Sequence, residues 1–408
     1  MRRFTLLAAA SVAGAALIGS VAEGDRKSKG GDYRPLGSDA TFTTVHTDAL
    51  GLEGLTADHR GNLYSPARPP GPPAPPAPCP IVRVPASGGA AVTVGQLPAP
   101  CNPAGLAFDR HGELFVTDGT DIHRLRPSAS SPPTATVFAT GLAGANGVAF
   151  DKRGDLWVSD GGTGQGRVWR IGDDGTPEVR FRVQPMVNDV MRDVDPDQPG
   201  LEISGVGRDP RSAPPATVTI TQDGRQAANT LGSQHLVANG LAFDRDGSLF
   251  IGDTARGAIW RVELDRRGNV RSPTGCDTTF MSNTLCLSNV FVQHPALEGV
   301  DGIALDREGN VIAAANERNA VVVATQRDGV VELFRNPVTA GRLRNDGPLE
   351  FPTSPVIVGR KLCLAHSDGN RRDNSPNSAG DVGPGRDLAK LSCLDRRPPV
   401  EGLPLPVN

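Results

Sequence analysis

Apolar and polar positions along the chain repeat one phrase: a small residue, five mostly apolar residues, Asp-x-x-Gly, then an apolar run ending on a polar side chain. It reads PAGLAFDRHGELFVTD at 103–118, ANGVAFDKRGDLWVSD at 145–160, ANGLAFDRDGSLFIGD at 238–253 and VDGIALDREGNVIAAA at 300–315. LEGLTADHRGNLYSP starts an earlier copy at Leu52. Each copy predicts two short strands around a D-x-x-G turn, with Gly at the position that tolerates positive φ. A third apolar run follows (GRVWRI at 166–171, GAIWRV at 257–262, AVVVAT at 320–325), and a turn leads to a fourth such as PEVRFRV at 177–183. Four antiparallel strands recurring every 42 to 62 residues predict an all-β propeller of four-stranded blades. A β-sandwich would not repeat the same unit at such spacing.

The blade count rests on weaker copies. Between Asn146 and Asn239, NDVMRDVDPDQPGLEISG at 188–205 reads as a degenerate unit with a lengthened turn, and PATVTIT at 215–221 fits its third strand. TSPVIVGRKLCLAH at 353–366 reads as another unit with a shortened turn; LAKLSCL at 388–394 follows, and the N-terminal TFTTVHT at 41–47 supplies a fourth strand. The expectation is a single propeller of seven blades, or six if 184–236 is an insertion. The N-terminal strand closes the ring, so that no sheet edge stays open. The propeller spans 41–398, after a linker at 23–40 and before a tail at 399–408. A Pro/Ala/Gly-rich loop at 66–78 and a polar loop at 367–386 interrupt it.

Composition adds compartment and excludes some partners. Residues 1–22 read as a signal peptide: Arg2 and Arg3 precede an Ala-rich apolar stretch, and Ser20-Val21-Ala22 offers a cleavage site. No later apolar run is long enough to span a membrane, so a secreted or periplasmic protein without a stable anchor is expected. A net charge of -3 with both signs interspersed gives no basic face for nucleic acid. A monomer acting on a small molecule is expected. Six cysteines in an exported chain predict three disulfides, paired most simply between neighbours: Cys79 with Cys101, Cys276 with Cys286, Cys363 with Cys393.

Candidate chemistry lies at the start of each unit. The innermost strand of a blade lines the central tunnel, so the first residues of the copies form a column at one rim: Glu53, Ala104, Asn146, Asn188, Asn239, Asp301 and roughly Ser354. Two carboxylates and up to three amide carbonyls make a hard oxygen donor set, which suits calcium. Asn-Gly is also a common turn dipeptide, but Glu-Gly, Asp-Gly, Asn-Asp and Ala-Gly in the same column share no turn preference. The second strand of each unit returns to that rim, placing Asp118, Asp160, Asp253 and His366 around the pocket as candidates for substrate contacts or general-base work. The competing reading has these aspartates capping loops. His235 precedes Asn239 near the pocket, whereas His59 and His111 fall in D-x-x-G turns at the opposite rim.

The order Glu, gap, Asn, Asn, Asp at unit starts resembles the regucalcin/gluconolactonase family of calcium-holding propellers, and the repeats are also similar to NHL-type propellers. The resemblance implies that Glu53, Asn239 and Asp301 are metal ligands, and that Asn146 ligates the metal or contacts the substrate. Asn188 is an extra Asn against that pattern. It further implies a calcium-dependent hydrolase of lactones or esters, with Asp301 as base or orienting group. With the signal peptide the expectation is an exported enzyme, and His366, from its place at the end of a second strand, is a second catalytic candidate. Gly144 stands where sugar-acid lactonases carry an Arg, which speaks against a sugar-acid lactone. A non-catalytic NHL-like binding propeller, and a lyase or condensing enzyme on the same scaffold, are the alternatives.

Overall fold

The computed structural model describes residues 33–37, 39–48, 50–68, 77–185, 236–278, 280–326, 329–336, 348–367 and 389–404. The D-x-x-G turns follow from one carboxylate. Asp151 Oδ1 accepts the backbone N–H of Arg153 (2.8 Å) and of Asp155 (3.0 Å), and its Oδ2 accepts Nε1–H of Trp157 (3.1 Å). Gly154, at φ +90°, lets the chain reverse between those two donors. Asp58, Asp109, Asp244 and Asp306 repeat the same pair of backbone acceptances. The phrase in the sequence is thus a hairpin with its own hydrogen-bonded turn.

These hairpins grow into six sheets among the described residues. β1 (Phe42–Asp48) belongs to the last of them. The first contains β2 (Gly51–Leu52), β3 (Thr56–Ala57), β4 (Asn62–Arg68), β5 (Cys79–Pro85) and β6 (Val92–Leu97). The second contains β7 (Pro103–Phe108), β8 (Leu114–Asp118), β9 (Asp121–Leu125) and β10 (Thr136–Ala139). The third has β11 (Ala145–Phe150), β12 (Leu156–Asp160), β13 (Arg167–Ile171) and β14 (Pro177–Arg182). The fourth has β15 (Leu241–Phe243), β16 (Leu249–Asp253), β17 (Ala258–Val262) and β18 (Val290–Gln293). The fifth has β19 (Val300–Leu305), β20 (Val311–Ala315), β21 (Ala320–Thr325) and β22 (Gly329–Arg335). In the sixth, β23 (Pro352–Val358), β24 (Lys361–His366) and β25 (Ala389–Leu394) are followed by β1, which pairs antiparallel with β25. Apolar side chains on both faces of each sheet pack into its neighbours; Trp157, Phe181, Phe243 and Trp260 fill one such layer.

The seven-blade expectation is corrected to six. Inner strands of successive blades touch through a glycine, and at Gly147 an added Cβ would lie 2.3 Å from the carbonyl oxygen of Asn239. Ser159 Oγ also donates to that oxygen (2.5 Å). The blades begun by Asn146 and Asn239 are therefore direct neighbours, and no inner strand fits between them. Residues 188–205 and 215–221, read from the sequence as a further unit, lie outside the described residues.

All three disulfides form between the expected neighbours. Cys363–Cys393 joins directly opposed residues of β24 and β25. The Pro-rich loop starts later than its composition suggests. Pro66 is still inside β4, opposite Ile81. No helix among the described residues is long and apolar enough to cross a membrane.

Candidate functional site

The column of unit-start residues exists, and β-bulges aim it. The register of the innermost pair slips between Pro103 and Leu106, between Ala145 and Val148, between Val300 and Ile303, and between Pro352 and Ser354. Column residues Ala104, Asn146 and Asp301 fall inside these bulges, which re-aim side chains at the ends of strands. In the sixth blade the place is held by Thr353, one residue before Ser354. Contacts pass from each column to the next: Gly54 meets Ala104 O, Gly105 meets Asn146 O, Gly147 meets Asn239 O, Gly240 meets Asp301 O and Gly302 meets Thr353 O. Thr353 Oγ1 then donates to Glu53 O (2.6 Å). Glu53, Asn146, Asn239 and Asp301 are thereby brought to one rim. Asn188 lies outside the described residues.

The side chains of Glu53, Asn146, Asn239 and Asp301 each meet the residue 15 positions later, which is the last residue of the second strand in the first blade (Arg68) and lies just past that strand in the other three. Asn239, 1% exposed, donates from Nδ2 to Thr254 Oγ1 (3.0 Å), and Thr254 Oγ1 itself donates to Val300 O (2.5 Å). With its proton committed to Val300, the hydroxyl can only accept from Asn239. The amide is thus fixed with Oδ1 turned away from Thr254, and no described residue donates to that oxygen. Asp301, also buried, accepts Asn316 Nδ2 at Oδ2 (3.0 Å). Asn146 lies over Gly161, where an added Cβ would be 2.5 Å from the Asn146 Cβ; its amide makes no hydrogen bond to a described residue. Glu53 Oε2 accepts Arg68 NH2 (3.1 Å), and Arg68 NH1 donates to Asn102 Oδ1 (2.9 Å).

Arg68, Gly161, Thr254 and Asn316 escaped the sequence reading. Their spacing from the column is constant, but their chemistry is not. A search for a repeated residue type passes over them; a search at fixed offset from Glu53, Asn146, Asn239 and Asp301 finds all four.

The ends of the second strands behave differently. Asp160 accepts the backbone N–H of Thr163 (2.9 Å), the Thr163 hydroxyl and Arg167 Nε (3.0 Å). Asp253 accepts Arg256 N (3.1 Å), Arg256 NH1 (2.9 Å) and Trp260 Nε1 (2.9 Å). Asp118 accepts Asn102 N, with His123 Nε2 3.5 Å away. Burial raises all three carboxyls above the usual range, against the lowering effect of these partners. Asp160 and Asp253 brace the turn into the third strand, whereas Asp118 holds the chain entering the first strand of its blade.

His366 is also engaged. Its Nδ1 accepts the backbone N–H of Glu350 (3.1 Å), so the ring proton sits on Nε2 and points at Ser392 Oγ, 2.7 Å away. A histidine that donates to a serine cannot take the serine's proton. Burial first, and the nearby Lys390 ammonium second, hold this imidazole neutral, well below its usual range. Both ring nitrogens of His366 are thus engaged by protein partners. His235 lies outside the described residues.

Beneath the rim the tunnel turns apolar. A cavity of about 170 Å³ is lined in successive layers by Gly105, Gly147, Gly240 and Gly302, then Ala107, Ala149, Ala242 and Ala304, with Leu403 among its walls. Polar side chains thus concentrate at the column. Among the described residues no cluster of three or more His, Cys, Asp and Glu occurs, so a cation here would rest on two carboxylates and two amide oxygens. That all-oxygen set fits a hard cation such as calcium, which needs about six to eight oxygens and would draw the remainder from water or substrate.

The family model for the SMP-30/gluconolactonase/LRE-like region matches residues 80–342. Among solved structures, a luciferin-regenerating enzyme superposes with a TM-score of 0.53 at 12% identity, covering 89% of this chain and 97% of its own. The calcium-binding protein regucalcin from Agrobacterium tumefaciens gives 0.51 at 17% identity, covering 90% and 97%. A proposed gluconolactonase gives 0.52 at 15%, covering 91% and 96%. At such identities these structures speak for the fold alone. A comparison with curated proteins found no match. The match over residues 80–342 takes in well over half of the chain and most of its blades, and the chain therefore belongs to the SMP-30/gluconolactonase/LRE-like family.

Proposed function

We propose that this propeller is an exported, calcium-dependent hydrolase of lactones or esters that works at the column rim. The observation that carries the reading is the oriented amide of Asn239. Thr254 holds it with Oδ1 directed away from its one side-chain partner among the described residues, on the same rim as the buried carboxylate of Asp301. Glu53, Asn146, Asn239 and Asp301 would hold the ion. When bound, calcium supplies Lewis acidity toward a carbonyl oxygen and makes a nearby water more acidic.

The chain's own residues do the rest. Asn316 fixes one oxygen of Asp301 and so sets the plane of its carboxylate, which orients a water for attack. Burial of Asn239 and Asp301 strengthens each polar contact made there. Three disulfides support export, and pairing of β1 with β25 supports closure of the ring by the N-terminal strand. One observation favours the non-catalytic binding reading. The polar side chains just outside the column (Asp160, Asp253 and His366) are committed to structural partners, so the rim offers few groups for acid-base work.

A hydrolysis screen over aliphatic and aryl lactones and esters separates the two. Turnover that needs calcium, stops with chelator and is lost in Asp301→Asn supports the hydrolase. Calcium binding without turnover of any member supports the binding propeller.

A further inference from the structure

Behind the three other polar column residues the residue 15 positions later is neutral: Gly161 under Asn146, Thr254 under Asn239, Asn316 under Asp301. In the first blade it is a cation. Arg68 NH2 lies 3.1 Å from Glu53 Oε2, with both side chains only 18% exposed. The guanidinium is held from its other side by Asn102 Oδ1 at 2.9 Å. Asn102 follows Cys101, whose disulfide to Cys79 ties this loop to the first strand after Arg68. Arg68 is therefore fixed against a column carboxylate, in the sector where the next blade supplies only Ala104.

We propose that Arg68 is the resident counter-ion of the column, and that a divalent cation binds by displacing it from Glu53. The inference rests on the metal reading above. Without the ion, the column carries the carboxylates of Glu53 and Asp301, and the guanidinium offsets one of them. With the ion, the same positive charge repels it, and Glu53 must exchange one cation for the other. Arg68 thereby lowers the site's affinity while stabilising the metal-free protein, so the two effects of removing it have opposite signs.

The test compares the wild type with Arg68→Gln by calcium titration calorimetry and by melting with and without calcium. The exchange predicts that Arg68→Gln melts lower in chelator, yet binds calcium about tenfold more tightly or better. Its calcium-induced rise in melting temperature should then exceed that of the wild type. If the wild type binds calcium and Arg68→Gln binds it equally or more weakly, the exchange is wrong while the metal site stands. If neither protein binds calcium, the metal site itself falls and the exchange falls with it. Should Arg68→Gln not fold, Arg68→Met keeps the aliphatic stem and carries the same expectations.

Discussion

Thr254 decides which atom of Asn239 faces the rim, because its own proton is spent on Val300 O. Thr254→Val leaves Val300 O and Asn239 Nδ2 without their buried partner, which costs about 1–3 kcal/mol. It also frees the amide to turn over, so the loss in calcium affinity should exceed the loss in stability when both are measured on the same variant. His366 supplies a pH dependence at the same scale. Its folded form is neutral and resists protonation, whereas the unfolded chain takes up a proton near pH 6.5. Its contribution to stability is therefore complete above that pH and is lost as pH falls below it, at up to about 1.4 kcal/mol per unit. Urea midpoints between pH 7 and 5 should show this slope in the wild type, and His366→Gln should flatten it.

The repeating hairpin is the element that the amino-acid pattern states most openly. Asp, Gly and the flanking apolar runs are all required locally, by the two backbone N–H groups that Asp151 accepts and by the positive φ of Gly154. Asp151→Ala leaves those donors and Trp157 Nε1 unpaired, and should cost about 2–3 kcal/mol in equilibrium unfolding. The column was legible for the same reason, since it stands at a fixed distance from each turn. The partners of the column were not. Arg68, Gly161, Thr254 and Asn316 serve one place with four chemistries, and only the folded register shows that they share it. The aspartates that close the second strands recur more regularly. They recur as a functional group would, and the fold pairs Asp160 with Arg167 and Asp253 with Arg256, contacts that the spacing alone did not show.

At the scale of the whole molecule, blade number is settled between blades. The apolar alternation at 188–205 fits a strand as well as other segments do, yet neighbours in the ring are chosen by the approach of Gly147 to Asn239 O. Gly147→Ala puts a methyl 2.3 Å from that oxygen and 2.7 Å from Ser159 Oγ. It should loosen the third blade from the fourth and destabilise the fold by about 1–3 kcal/mol or more. Removing residues 186–235 should, by contrast, leave a cooperatively folded ring, provided a linker joins Pro185 to Leu236; melting of the shortened chain reads this directly.

The central claim is that Glu53, Asn146, Asn239 and Asp301 converge on one cation. A crystal structure grown or soaked with calcium tests it most directly. A single strong peak on the tunnel axis, with Oδ1 of both asparagines and oxygens of both carboxylates about 2.3–2.6 Å away, is the predicted result. Calcium held elsewhere, or a rim where Asn146 and Asn239 turn their amide nitrogens toward the axis, would contradict the account.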